Sequence, residues 1–70
     1  MSSNISIKAN GENFQVASNT TLSNFLEDRK LNPNHVVIEH NNKALTKAEA
    51  KAVSLQNGDS LEIIKIVAGG

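Results

Sequence analysis

The chain has 70 residues and no cysteine, and its seven basic residues balance seven acidic ones. This length allows one small domain with a modest core, and the absence of cysteine excludes disulfides, a thiol nucleophile and a thiolate metal site. The even charge and the presence of only two aromatic residues argue against nucleic-acid binding. The opening residues resemble neither a signal peptide nor a membrane span, so we expect a cytoplasmic protein that contacts no membrane.

The first segment predicts a β-hairpin. Residues 4–17 alternate apolar and polar side chains on both sides of Asn10-Gly11. Asn-Gly is the preferred pair for a two-residue type I′ turn between antiparallel strands.

A helix is predicted next, within residues 18–31. Thr20 or Thr21 can cap its first turn, and the apolar residues that follow have the i, i+3, i+4 spacing of one helix face: Leu22, Phe25 and Leu26. Positive charge at Arg29 and Lys30 suits the C-terminal end of the helix dipole, and Asp28-Arg29-Lys30 is interpreted as a solvated face. The Asn-Pro-Asn sequence at 32–34 predicts the end of the helix.

The second half predicts more strands. The run HVVIEH at 35–40 predicts a buried strand, and a turn at Asn41-Asn42 leads into a short strand that ends near Leu45. Residues 46–55 are rich in helix formers, and Thr46 with Glu49 fits a capping box, which predicts one or two helical turns. A turn at 56–59 precedes the last strand, SLEIIKIV, at 60–67.

This order of elements predicts an α+β fold. A hairpin, a helix, further strands and a last strand parallel to the first make a β-grasp, or ubiquitin-like, arrangement: a mixed sheet of four to five strands packed on one main helix. We expect residues 1–67 to form this domain and residues 68–70 to form a flexible C-terminal tail.

The sequence holds no conventional catalytic constellation. It lacks both phosphate-loop motifs, and no third ligand is spaced to join His35 and His40 in a metal site. As strand residues five apart, the two histidines would lie on opposite faces, with His40 at a sheet edge. Glu39 and Glu62 are interpreted as solvent-facing strand residues, and Asp59 is interpreted as a turn residue. We therefore expect no enzyme activity, no bound cofactor and no bound metal.

The last strand carries apolar residues on both faces. Leu61 and Ile63 would face the helix, which leaves Glu62, Ile64 and Ile66 on the opposite face. With Val67, the two isoleucines predict a partner-docking patch. The alternative interpretation is that they are ordinary exposed apolar residues, which are common on protein surfaces.

The last four residues suggest where chemistry could occur. Extended, Val67 to Gly70 would reach roughly 13 Å. Ala68 and Gly69 have small or absent side chains, so this segment could enter a narrow channel. The Gly70 carboxylate is ionised at neutral pH and could attack the α-phosphate of ATP held by another protein. A sulfur or nitrogen nucleophile would then displace AMP.

These segments resemble a known family. The stretch LQNGDSLEIIKIVAGG closely resembles the C-terminal signature of the ThiS family, the sulfur carrier proteins of thiamine biosynthesis. NGE at 10–12, TTLSNFL in the first helix and VVIEHNNKAL in the middle are similar to family segments at family spacing. Two departures lie away from the tail: Asn41-Asn42 stands where Asn-Gly is common, and Thr46-Lys47 where Pro-Arg often occurs.

The resemblance implies a carrier and no enzyme. An E1-like adenylyltransferase that uses MgATP would adenylate Gly70, and a sulfur donor such as a cysteine desulfurase system would convert the adenylate to a thiocarboxylate. Thiazole synthase would accept the sulfur. Ala68 and Gly69 would form the inserted tail, and Ile64, Ile66 and Val67 would dock the partner. The free chain would be a monomer.

Three other interpretations remain open. The small subunit of molybdopterin synthase shares the fold and the Gly-Gly thiocarboxylate, although it is usually longer and often has prolines before the tail. A ubiquitin-like modifier would use the same tail to form isopeptide bonds. A plain β-grasp interaction domain would leave its tail unused.

Overall fold

The computed structural model describes residues 3–66 of the chain. The five strands and two α-helices, with one short 3₁₀ turn at Pro33–His35, are in chain order β1 (Asn4–Ala9), β2 (Glu12–Ala17), α1 (Leu22–Asp28), β3 (Val36–His40), β4 (Lys43–Ala44), α2 (Lys47–Ala52) and β5 (Ser60–Lys65). The predicted boundary between domain and tail, at residues 67 and 68, lies outside the described residues.

The sheet is mixed, and its last strand lies at the centre. The strand order is β2-β1-β5-β3-β4. β5 runs parallel to β1 and antiparallel to β3, while β1–β2 and β3–β4 are antiparallel hairpins. This topology is the ubiquitin-like β-grasp that the order of elements predicts.

Both hairpins turn through residues with positive φ. Asn10 (φ 52°) and Gly11 (φ 83°) form the predicted turn of the first hairpin, and Asn41 (φ 51°) and Asn42 (φ 72°) form that of the second. Positive φ at both central positions is the requirement of a type I′ turn, which Asn tolerates better than other non-glycine residues.

The main helix begins at its predicted cap and packs on one face of the sheet. The Thr21 hydroxyl accepts a hydrogen bond from the Asn24 N–H at 3.1 Å. The core contains the three predicted helix residues, Leu22, Phe25 and Leu26. Six further buried residues complete it: Ile7, Ala9, Val36, Ile38, Leu55 and Leu61. The N–H of Leu22 donates to the Val53 carbonyl, so the segment after α2 satisfies a donor that the helix leaves free.

The second helix has the predicted capping box. The Thr46 hydroxyl accepts from the Glu49 N–H at 3.1 Å, and the Glu49 carboxylate accepts from the Thr46 N–H at 2.9 Å. The backbone hydrogen bond from Thr46, followed by the charge of Lys43, lowers the pKa of Glu49.

Three sequence predictions need correction. His35 belongs to the 3₁₀ turn, because Pro33 begins a tight turn before β3. Only alternate residues of β3 are buried, and Val37 is exposed, because one face of the strand points away from the helix. The last strand ends at Lys65, before Ile66.

Asp28, Arg29 and Lys30 are exposed, as predicted, but Arg29 also makes a contact that the sequence did not predict. Its guanidinium carbon lies 4.1 Å from the centre of the Phe14 ring and 5.6 Å from that of Phe25. The two rings meet edge to face at 5.5 Å. The exposed Arg29 side chain therefore covers the aromatic end of the core by cation–π contact.

Candidate functional site

The residues of the predicted tail, and the predicted docking residue that precedes them, lie outside the described part of the chain. These are Val67, Ala68, Gly69 and Gly70. The structure describes the strand that leads to them and the surface of the sheet beside that strand. The candidate site is therefore built from β5 and its neighbours.

The two faces of β5 differ as the alternation predicts. Leu61 is buried, and Ile63 is half-buried and packs against the core. On the opposite face, Ile64 is 54% exposed and Ile66 is 48% exposed. We call the face of the sheet that points away from α1 the outer face.

A third apolar residue joins these two on the outer face. Val37 lies directly opposite Ile64 in the β3–β5 register and is 41% exposed. Val37, Ile64 and Ile66 together form the outer apolar patch. Sequence reasoning missed Val37 because it treated the apolar run of β3 as buried throughout. The signal was available, since burial of Val36 and Ile38 requires Val37 to point the other way.

Backbone pairing holds Ile66 beside the sheet after the strand ends. The Ile66 N–H donates to the His35 carbonyl at 2.8 Å, so the turn before β3 supports the last described residue. The residue that precedes the predicted tail segment is thus hydrogen-bonded to the turn before β3.

Asn10 anchors the same strand from the other side. Its side-chain oxygen accepts from the Ile63 N–H at 2.7 Å, and its amide nitrogen donates to the Ile63 carbonyl at 3.1 Å. Because β1 ends at Ala9, the Asn10 side chain continues the hydrogen-bond ladder where the backbone turns away. The sequence predicted only the turn at this residue, since the second role depends on a contact across the fold.

A polar cluster ties the second hairpin to the start of β5. The carboxylate of Asp59, which is 6% exposed, accepts hydrogen bonds from His40 Nε2 at 2.9 Å, Asn41 Nδ2 at 3.1 Å and the Gln56 N–H at 2.8 Å. Burial raises the pKa of Asp59, but these hydrogen bonds outweigh burial and hold its pKa below the usual value of 3.8. Asn41 also accepts from the Ser60 N–H at 2.9 Å.

This cluster supports the fold. All three donors to Asp59 come from the protein itself, so the carboxylate is satisfied where it lies. Asp59 therefore does more than occupy a turn. His40 is a half-buried hydrogen-bond donor, and it does not lie at a sheet edge as predicted, because β3 is paired on both sides, with β5 and with β4. Among residues 3–66, no three His, Asp or Glu side chains come together as a metal-binding group.

Glu39 and Glu62 lie on the outer face; Glu62 is exposed, as predicted, whereas Glu39 is half-buried. They are directly opposite each other in the β3–β5 register, and the next opposed pair on the same face is Val37 and Ile64. The sequence predicted that each carboxylate faces solvent, but it did not predict that the two are neighbours.

A protein-family comparison decides the family. The model described as the ThiS family matches residues 4–70 of this chain. The chain belongs to the ThiS family. This confirms the resemblance seen in the sequence, and the match includes both the described domain and the Gly-Gly segment.

Two individual proteins are similar to this chain over nearly its whole length. The chain is 37% identical over 68 residues to the uncharacterized protein ycf40 of Pyropia yezoensis, covering 97% of this chain and 96% of that protein. The crystal structure of the thiamine biosynthesis protein ThiS from Geobacter metallireducens matches with a TM-score of 0.78 and 23% identity, covering 94% of this chain and all of that one (100%). At that identity the likeness shows the shared fold.

Membership of the ThiS family gives the general function. ThiS-family proteins are small ubiquitin-like sulfur carriers. Neither helix within residues 3–66 has the length and apolar character needed to cross a membrane.

Proposed function

We propose that this chain is the sulfur carrier for thiazole formation in thiamine biosynthesis, and that Gly70 bears the sulfur as a thiocarboxylate. The observation that carries the proposal is the ThiS-family match, which extends through residue 70. A solved relative of the same fold is described as a thiamine biosynthesis protein, which supports the choice of pathway.

The chemistry takes place on Gly70 in two steps. Its carboxylate attacks the α-phosphate of MgATP held by an E1-like adenylyltransferase, and pyrophosphate leaves. A hydrosulfide equivalent, supplied by a cysteine desulfurase system, then attacks the acyl carbon, and AMP leaves with the original carboxylate oxygen. The thiocarboxylate passes its sulfur to thiazole synthase. This chain needs no bound cofactor of its own, because the partner holds the nucleotide.

The described residues support the docking half of this proposal. The outer apolar patch lies on the strand that leads to the tail, and Val67 would extend it. From Val67 to Gly70 an extended chain reaches roughly 13 Å, so a partner seated on the patch could hold its nucleotide at that distance. Ala68 and Gly69 would pass a narrow entrance because they lack large side chains.

Intact mass spectrometry tests the carrier function. Incubation with the adenylyltransferase, ATP and a sulfur donor should raise the mass by the difference between one sulfur and one oxygen atom. Deleting Gly70 should abolish that increase and leave the thermal unfolding midpoint unchanged, since residues 3–66 hold all of the described core. Normal thiamine synthesis with the deletion variant would show that the proposal is wrong.

Growth experiments separate the proposed pathway from its rivals. A strain that lacks this chain should grow when thiazole is supplied. Rescue through the molybdenum cofactor would instead indicate a molybdopterin synthase subunit. Ladders of protein conjugates that depend on Gly70 would indicate a ubiquitin-like modifier.

A further inference from the structure

The outer face of the sheet carries two carboxylates side by side. Glu39 on β3 and Glu62 on β5 are directly opposed, and their inward-facing neighbours Ile38 and Leu61 are buried. Opposed residues of an antiparallel pair have Cβ atoms about 4.5–5.5 Å apart. Two like charges at that separation destabilise the pairing of the strands.

No ion pair within residues 3–66 includes either carboxylate. The ion pairs there are His40–Asp59 and Lys43–Glu49, and neither includes Glu39 or Glu62. Lys8 points to the same face from β1, but its register partner is Ser60, so it is diagonal to Glu62 and forms no ion pair with it. The free chain therefore holds two adjacent carboxylates at the centre of its sheet.

The carboxylate pair is continuous with the outer apolar patch. On the outer face, the next opposed pair towards the tail is Val37 and Ile64, and Ile66 follows. A partner that covers the patch must therefore also cover or border the two carboxylates. If it brought no positive charge, it would remove water from two anions without replacing their hydration, which is unfavourable.

We propose that the adenylyltransferase that docks on the outer apolar patch places an arginine guanidinium between Glu39 and Glu62. This inference rests on the proposed function. Arginine fits better than lysine, because its planar fork can bond two carboxylates at once and its flat face can lie on Ile64. Two carboxylates without a third ligand make a poor metal site, and their charge opposes docking on nucleic acid or an anionic membrane.

The arrangement has opposite consequences in the free and bound states. In the free chain, removing one charge relieves repulsion between the strands. In the complex, the same change removes a charge-assisted hydrogen bond to the partner. A purely structural role for either glutamate would not weaken binding while it strengthened the fold.

The experiment uses the full chain and the adenylyltransferase of the same organism, titrated calorimetrically without ATP. Glu39→Gln and Glu62→Gln should each raise the unfolding midpoint by about 1–4 °C and weaken binding roughly tenfold. Glu27→Gln is the matched control, since Glu27 is exposed on α1, on the other side of the sheet. The dissociation constant of this variant should stay within about twofold of that of the wild type.

A charge reversal sharpens the test. Glu62→Lys would form an attractive cross-strand pair with Glu39, so its fold should be at least as stable as the wild type. In the complex, the new lysine would face the partner's arginine, so Glu62→Lys should weaken binding roughly a hundredfold. Wild-type affinity in all three variants would overturn the arginine contact.

The two proposals fail in distinguishable ways. If the wild-type chain is adenylated, as measured by pyrophosphate release, and the glutamate variants bind as tightly as it does, only the arginine contact is wrong. If the wild-type chain is not adenylated, the proposed function is wrong, and the inference about the partner falls with it.

Discussion

At the scale of single residues, Asp59 shows how a buried charge is stabilised in a small domain. Its carboxylate is nearly inaccessible, and three donors from two separate segments surround it. A buried ion is tolerated only when hydrogen bonds replace its lost hydration. Asp59 therefore links the turn at residues 56–59 to the second hairpin, and this link stabilises the position of β5.

Asp59→Asn should change both stability and its dependence on pH. The pKa of Asp59 is lowered in the folded state, so its contribution is present above the unfolded pKa of about 3.9 and is lost as pH falls through the folded pKa. We expect the variant to lose about 1–3 kcal/mol of unfolding free energy at pH 7, because charge-assisted hydrogen bonds are removed. Its stability should also decline less between pH 5 and pH 2 in urea titrations.

Asp28→Asn is the control for this measurement, since Asp28 is exposed and the charge change is the same. It should leave the unfolding free energy within about 0.5 kcal/mol of the wild type. An Asp59→Asn variant with the stability and acid sensitivity of the control would contradict the role assigned to the cluster.

At the scale of the element, the end of α1 has a complete Schellman motif with an unusual residue in it. The Leu31 N–H donates to the Leu26 carbonyl and the Lys30 N–H donates to the Glu27 carbonyl, both at 2.9 Å. Lys30 occupies the left-handed position with φ 59°. Glycine is the usual residue there, because a Cβ crowds the backbone at positive φ.

Lys30→Gly should therefore stabilise the protein. Relief of the left-handed strain exceeds the added freedom of glycine in the unfolded chain, and we expect a gain of about 0.5–1 kcal/mol in urea unfolding. Lys51→Gly, within α2, is the matched control and should lose about 1 kcal/mol, because its backbone is helical. A loss of stability in both variants would show that the Lys30 side chain outweighs its strained backbone.

At the scale of the whole molecule, β5 divides the protein into a side that holds the fold together and a side that is available to partners. Leu61 is 1% exposed and lies in the core, whereas Ile64 stands on the opposite face. A domain of this size has a small core and a total stability of only about 5–15 kcal/mol. Substitutions on the two faces should therefore have different consequences.

Leu61→Ala should cost about 2–5 kcal/mol of unfolding free energy, because it leaves a cavity in the core. Ile64→Ser should cost less than about 1 kcal/mol but should weaken binding to the adenylyltransferase. Chemical unfolding and calorimetric binding, measured on both variants, check the contrast. An Ile64→Ser variant that binds like the wild type would remove the outer apolar patch from the proposed docking surface.

Much of the fold could be predicted from patterns within short segments of the sequence. The Asn10-Gly11 turn, the cap at Thr21 and the capping box of Thr46 depend on residues at most three positions apart, so their patterns can be seen in one short segment. The apolar spacing of α1 likewise predicts its buried face. The alternation of β5 predicts which isoleucines are exposed, because side-chain direction in a strand has a period of two.

Contacts between distant segments were not predictable in the same way. Asn10 bonds to Ile63, and His40 bonds to Asp59, only because the fold places β1 and β3 on either side of β5. The opposition of Glu39 and Glu62 depends on the register of two strands that no local pattern specifies. A polar residue in a turn has the same local sequence whether its side chain faces water or the next strand.

By itself, the sequence determined the kinds of elements, their order, the family and the segment in which the carrier chemistry is proposed, because each depends on local pattern or on the composition of a short motif. Only the tertiary structure decided the strand order, the partners of Asn10 and Asp59, and the surface formed by Val37, Ile64 and the two glutamates. The physical reason is that strand pairing joins residues far apart in the chain, and neighbours across a sheet are set by register.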